Sequence, residues 1–154
     1  MWYTVCMSKF FKTAKAAVRW NCRILNVPEP IIRAVDPAEL QTETTRCALS
    51  RDGSRIAISQ DFINSNPGTA EVWLALSHEC RHIWQIHHTE YISSYKPSSA
   101  LSVSEYNRQA AEVDAWAWAV VVLADRFGVR PTLEKNLGVD VWLRIVERAN
   151  EISE

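Results

Sequence analysis

Long hydrophobic runs, an excess of charge of one sign and closely spaced cysteines are all missing from this 154-residue chain. The mildly apolar start from Met1 to Met7 is interrupted and then followed by Lys9, Lys12 and Lys15, so no continuous segment suits a secretory leader or a membrane span. With 17 Lys and Arg against 18 Asp and Glu, the net charge is −1 and the signs are mixed. That balance favours neither nucleic acid nor a membrane as a partner. Cys6, Cys22, Cys47 and Cys80 are scattered and outline no disulfide framework, which fits reduced thiols and a cytoplasmic setting. Repeats, low-complexity tracts and linkers are lacking too, so residues 1–154 are expected to form a single domain. A content of 47% hydrophobic and 23% charged residues is ordinary for such a domain.

What the chain does contain is His78-Glu79-Cys80-Arg81-His82. Apolar residues at helical spacing flank it, from Val72-Trp73-Leu74-Ala75-Leu76 to Ile83-Trp84, and Ala70 and Glu71 open the segment, which predicts a helix of about 18 residues. Residues four apart stand one turn above another, so both imidazoles can reach one ion at roughly 2.0–2.1 Å. Glu79 beside them can hold a water and take its proton, the HExxH arrangement of a zinc hydrolase. Cys80 lies two positions from His78, faces elsewhere on the helix and reads as a small buried hydrophobe.

Such a centre needs a third protein ligand. The segment Ala111 to Ala124 is apolar nearly all round yet carries Glu112 and Asp114 near its start. Buried carboxylates need partners, and the two sit about 200° apart on a helix, so they cannot both face one ion. Glu112 is assigned to the metal, and Asp114 to bracing the motif helix, pairing with an arginine or orienting a ligand histidine. The reverse assignment stays open. Glu105 reads instead as part of a capping box, Ser102-Val103-Ser104-Glu105, that starts this same helix. His88 stands ten residues after His78, but Gln85 occupies the place of the glycine that a metzincin turn requires, and the only methionines are Met1 and Met7. His87 and His88 are expected at a helix end. A zinc deaminase would need a Pro-Cys-x-x-Cys pair, which is missing.

With Glu112 on a second helix downstream of His78 and His82, residues 55 to 125 resemble the gluzincins, and in particular small single-domain HExxH peptidase-like proteins of bacteria and phages such as the minigluzincins and the ImmA/IrrE-like peptidases. Many gluzincins carry an aspartate four residues after the ligand glutamate; here that place is Trp116 and the acid is Asp114. The resemblance implies a zincin-like fold and gives the strand from Ile56 to Gln60 the part of an edge that binds extended peptide.

The rest of the chain is read as scaffold. Ser8 to Asn26 has helical spacing and ends before Pro28 and Pro30; Ile31–Val35, Thr44–Leu49 and Arg55–Gln60 read as strands, with Asp52-Gly53 predicting a type I′ hairpin turn. The loop from Thr89 to Ala100 should border the cleft as a lid, and Tyr91, Tyr95, Tyr106, His87, His88 and Arg108 all could donate to an oxyanion. Trp73, Trp84, Trp116, Trp118 and Trp142 are assigned to packing, and Pro131 to Ser153 to one or two closing helices with Leu137, Val141, Ile145 and Val146 inward.

The expectation is therefore an α+β, zincin-like domain in which a small antiparallel or mixed sheet packs beside the HExxH helix and a second ligand-bearing helix, with helices at either terminus. Its expected activity is zinc-dependent hydrolysis of peptide or protein substrates, with His78, His82 and Glu112 on the metal and Glu79 as general base; zinc is the sole cofactor implied. The competing expectation is a non-catalytic regulatory or binding module that keeps the metal for stability.

Overall fold

A computed structural model describes residues 2–40 and 45–154, with side chains described from Lys9 onward. The elements run α1 Trp2–Leu25, β1 Ile31–Val35, a 3₁₀ turn Pro37–Glu39, β2 Cys47–Leu49, β3 Arg55–Ser59, α2 Gln60–Asn64, α3 Thr69–His88, a 3₁₀ turn Ser98–Ala100, α4 Val103–Asn107, α5 Ala110–Phe127, α6 Glu134–Leu137 and α7 Val139–Ser153. The protein is thus α+β, with a mixed three-stranded sheet. Among the described residues no helix is long and apolar enough to cross a membrane.

β3 occupies the middle of the sheet, parallel to β1 and antiparallel to β2. This corrects the edge position expected for Ile56 to Gln60: both sides of β3 are paired, and Gln60 already begins α2. The edge that packs against α3 is β2. The hairpin from β2 to β3 is present, but its turn is not type I′. Gly53 adopts a positive φ of 75° while Asp52 does not. Asp52 instead accepts from the Ser50 hydroxyl and from both the backbone and hydroxyl of Ser54, which holds the connection from Ser50 to Ser54 by side-chain bonds. Of the strand expected from Thr44, the first residue lies outside the described residues and pairing begins at Cys47.

The main core lies where α1, α3, α5 and the sheet meet. Ala14, Val18, Ile56, Ile58, Leu76, Cys80 and Val122 are all almost fully excluded from water there. Burying a Leu- or Ile-sized side chain is worth about 1.5–3 kcal/mol, so this layer anchors the motif helix. A second cluster forms on the opposite face of α5, where Ala117 meets Val141, Ile145 and Ala149 of α7. With a helix on each side, α5 must be apolar nearly all round, which explains its composition. It ends at Gly128, whose φ of 62° is the left-handed conformation of a helix stop; Gly128 N–H donates to Ala124 O and Val129 N–H to Leu123 O.

The capping box Ser102/Glu105 forms with both reciprocal bonds, but it opens the short helix α4 rather than α5. The chain leaves helical geometry after Arg108, and Gln109, in extended backbone, starts α5. The physical reason is tertiary: Gln109 Oε1 accepts from Lys96 N–H at 2.7 Å while its Nε2 donates to Lys96 O at 2.9 Å. This two-way amide clasp ties the 89–101 segment to the start of α5.

Candidate metal centre

α3 packs along α5, and this sets the first turn of one helix against the middle of the other. His78 and His82 leave α3 on one face, as their spacing requires, and Glu112 leaves the first turn of α5 toward them. His78 Nε2 and His82 Nε2 stand 3.1 Å apart. Glu112 Oε2 is 3.2 Å from His78 Nε2, and Oε1 is 3.2 Å from His82 Nε2. Corners of a tetrahedron with metal bonds of about 2.0–2.1 Å lie about 3.3–3.4 Å apart, so this triangle has nearly the size that three ligands of one ion need. All three residues are buried, and together they could hold a metal ion.

The electrostatics agree with a cation-binding cluster. Burial opposes a charge on His82, but the Glu112 carboxylate, with Glu79 and Gln85 beyond it, overcomes that cost and pushes the imidazole up to about 9. Burial likewise opposes ionisation of Glu112, and His78 and His82 outweigh it, holding the carboxyl well below its usual value. Without an ion the site thus collects protons as its positive charge. Glu79 behaves differently. Burial raises its pKa above the ordinary carboxylate value; His78, His82 and a backbone hydrogen bond from Leu49 of β2 pull against that, and Glu112 adds to the rise.

Asp114 points away from the triangle into a network of its own. Arg81 reaches it through Nε at 2.7 Å and a terminal nitrogen at 3.1 Å, Arg148 of α7 through Nε at 2.9 Å, and Gln85 through Nε2 at 2.9 Å. Burial would raise this carboxyl; the hydrogen bonds from Arg81 and Gln85 and the charge of Arg81 outweigh it and keep it below its ordinary range. The Arg81 guanidinium also lies 3.7 Å from the centre of the Trp84 ring. Gln85 in turn meets His82 Nδ1 with its Oε1 at 2.8 Å. Sequence reasoning saw Gln85 only as a residue that prolongs the helix, because its partners Ala111 and Asp114 lie 26 and 29 positions away.

Trp116 was assigned to packing alone, yet its ring lies 4.2 Å from the His78 ring, centre to centre. It stands one turn beyond Glu112, and among the described residues no hydrogen-bond partner reaches the buried His78 Nδ1. Of the possible oxyanion donors, Tyr95 and Tyr106 stand beside the triangle: the Tyr95 hydroxyl donates to Glu112 Oε1 at 3.1 Å, and the Tyr106 hydroxyl is bonded to that of Tyr95 and also interacts with Glu112. Arg108 pairs with Asp140, His88 Nδ1 meets Trp84 O, and His87 is exposed at the end of α3. Cys80 is fully buried; a hydrogen bond with Cys22 and then burial hold its thiol well above the usual value, so it stays protonated and inert.

Comparison with family models, with curated proteins and with solved structures returns no match, so the reading of this site rests on its own geometry.

Proposed function

We propose that this protein is a zincin-like, zinc-dependent peptidase in which His78, His82 and Glu112 hold the metal and Glu79 is the general base. The observation that carries the proposal is the triangle of two imidazole nitrogens and one carboxylate, 3.1–3.2 Å on each side, with a second buried carboxylate, Glu79, next to His78 on α3. Two nitrogens and a carboxylate are the donor set that zinc takes in catalytic sites. Zinc bound there would supply Lewis acidity, polarising a peptide carbonyl and making water acidic enough to react near pH 7.

The chain's own residues do the rest. Glu79 accepts the proton of the attacking water on its carboxylate and returns it to the departing amine, for which a carboxyl raised by burial is better suited than an exposed one. Tyr95 holds a hydroxyl at the edge of the site; its one proton goes to Glu112 Oε1 here, and turning it from there would offer it to developing negative charge. The strand beside Glu79 is β2, an edge. The pairing bonds Ser59 N–H to Arg46 O and Ser50 N–H to Arg55 O turn the backbone groups of Cys47 and Leu49 outward. Leu49 thereby reaches Glu79, and the outward backbone at Cys47 suits pairing with an extended peptide.

A second reading draws on the closure of the site. His78, Glu79, His82 and Glu112 are only 2–9% exposed, and Tyr95 bonds to a ligand oxygen. A regulatory or binding module that keeps a metal for stability would have such a closed centre. Metal analysis of the purified protein beside four variants separates these ideas. One zinc per chain is expected in the wild type and in Glu79→Gln, and none in His78→Ala, His82→Ala or Glu112→Ala. On a peptide library, Glu79→Gln should lose about 10²- to 10⁴-fold in cleavage rate. No stoichiometric zinc, or cleavage untouched by Glu79→Gln, would overturn the peptidase reading; zinc without any cleavage would favour the module.

A further inference from the structure

Gln85 Nε2 sits 2.9 Å from Ala111 O and 2.9 Å from Asp114 Oδ2. A backbone carbonyl can only accept, and so can an aspartate carboxylate paired with Arg81 and Arg148. The group between them must therefore donate twice, which an amide nitrogen does and an amide oxygen cannot. That leaves Gln85 Oε1 toward His82 Nδ1 at 2.8 Å, where an acceptor calls for a proton on the ring nitrogen. A neutral imidazole protonated at Nδ1 carries its lone pair on Nε2, the atom that faces Glu112 at 3.2 Å and His78 at 3.1 Å. Without an ion the Glu112 carboxylate is a second acceptor for the one proton of a neutral ring, so Gln85 works against Glu112 there.

We infer that Gln85 is a positioning residue: locked in one amide orientation by Asp114 and Ala111, it selects the His82 tautomer whose Nε2 is ready to ligate. The consequence for metal binding rests on the metal-centre reading above, whereas the tautomer is a property of the ring itself. His78 is the internal contrast. Its Nδ1 has no such partner among the described residues, so the two histidines are held unequally, His82 by a hydrogen-bonded chain that starts at Arg148 on α7 and His78 by contact with Trp116.

Ring-nitrogen NMR of the full-length, ¹⁵N-labelled protein tests this, both zinc-loaded and metal-free at a pH alkaline enough to keep the ring neutral. Wild type should show His82 protonated at Nδ1 when zinc-loaded and, without metal, a share of that tautomer set by Gln85 against Glu112. Gln85→Met matches the length and removes the acceptor; it should shift metal-free His82 toward the Nε2-protonated tautomer that Glu112 favours and give about 10- to 100-fold weaker zinc binding. Gln85→Glu also presents an oxygen to Nδ1, so it should keep the wild-type tautomer even though it faces Asp114 and unfolds at lower temperature. A role in folding alone would instead make both variants follow their stability. The inference falls if zinc-loaded wild-type His82 lacks a proton at Nδ1, or if Gln85→Met leaves the metal-free tautomer and the zinc affinity unchanged. Should the protein bind no zinc, the metal reading fails, and the metal-free spectra still decide the part played by Gln85.

Discussion

Removing the charge of Asp114 should be among the most damaging single changes in the protein. Its carboxylate is 1% exposed and accepts four hydrogen bonds, two from Arg81, one from Gln85 and one from Arg148. In Asp114→Ala the Arg81 guanidinium, itself 6% exposed, loses its counter-charge in the interior, and breaking a buried pair in this way costs about 3–5 kcal/mol. For a chain of this size each kcal/mol lowers the midpoint of thermal unfolding by about 2–4 °C, so the loss should be about 6–20 °C. Asp114→Asn should not rescue the fold. Every bond at Asp114 is donated to it, so an amide nitrogen placed there meets a donor whichever way it turns. Arg148→Ala should cost much less, since that side chain is 31% exposed and water takes over for Arg148. The double variant Asp114→Leu with Arg81→Met should lose less than the two single changes together, because neither charge is left stranded. Urea and thermal unfolding followed by circular dichroism measure all of these. A loss below about 1 kcal/mol for Asp114→Ala would mean that Arg81 finds water, and the argument for a buried hub would be wrong.

Three further outcomes follow from the centre and its surroundings. His82 is raised to about 9 in the folded, metal-free protein against 6.5 for the free side chain; the stabilisation this brings is complete below about pH 6.5 and lost as pH rises through about 9. Metal-free thermal unfolding should therefore fall between pH 6 and pH 10, and an unchanged midpoint would remove the His82–Glu112 interaction from the account. Zinc must displace the same proton, so apparent zinc affinity should rise with pH toward 9; a pH-independent affinity in competition titrations with a chelator would speak against His82 as a ligand. Cobalt(II) titration should quench tryptophan emission in the wild type, and Trp116→Phe should lose that share of the quenching, because Trp116 touches His78; equal quenching in both would place the ion elsewhere.

The parts of this protein that a sequence reader can see are those encoded in local spacing. The four-residue step from His78 to His82 and the acid Glu112 in an otherwise apolar helix led to residues that do come together. Gly128 as a helix stop and the capping box at Ser102 are local chemistry too, and both are present. Contacts distant in sequence are what stayed hidden. Alternation in residues 55–59 marks a strand but not its place between two others, and the edge role that the resemblance implies for Ile56 to Gln60 does not fit a strand paired on both sides. The break between α4 and α5 depends on Gln109 meeting the backbone of Lys96, and a helical pattern runs through it unmarked. The same holds for Gln85 and for Trp116, whose apolar surroundings suited a packing residue while its ring lies against His78.

The hub at Asp114 is assembled from three helices that leave the ribosome in the order α3, α5, α7. Arg81 meets Asp114 between α3 and α5, whereas Arg148 reaches it from α7. Until it docks, Ala117 and its neighbours on the outer face of α5 have no apolar cover, and Asp114 is open to water from that side. The brace on Asp114 therefore depends on α7: a chain with α7 undocked would leave Asp114 to Arg81 and Gln85 alone and uncover the outer face of α5.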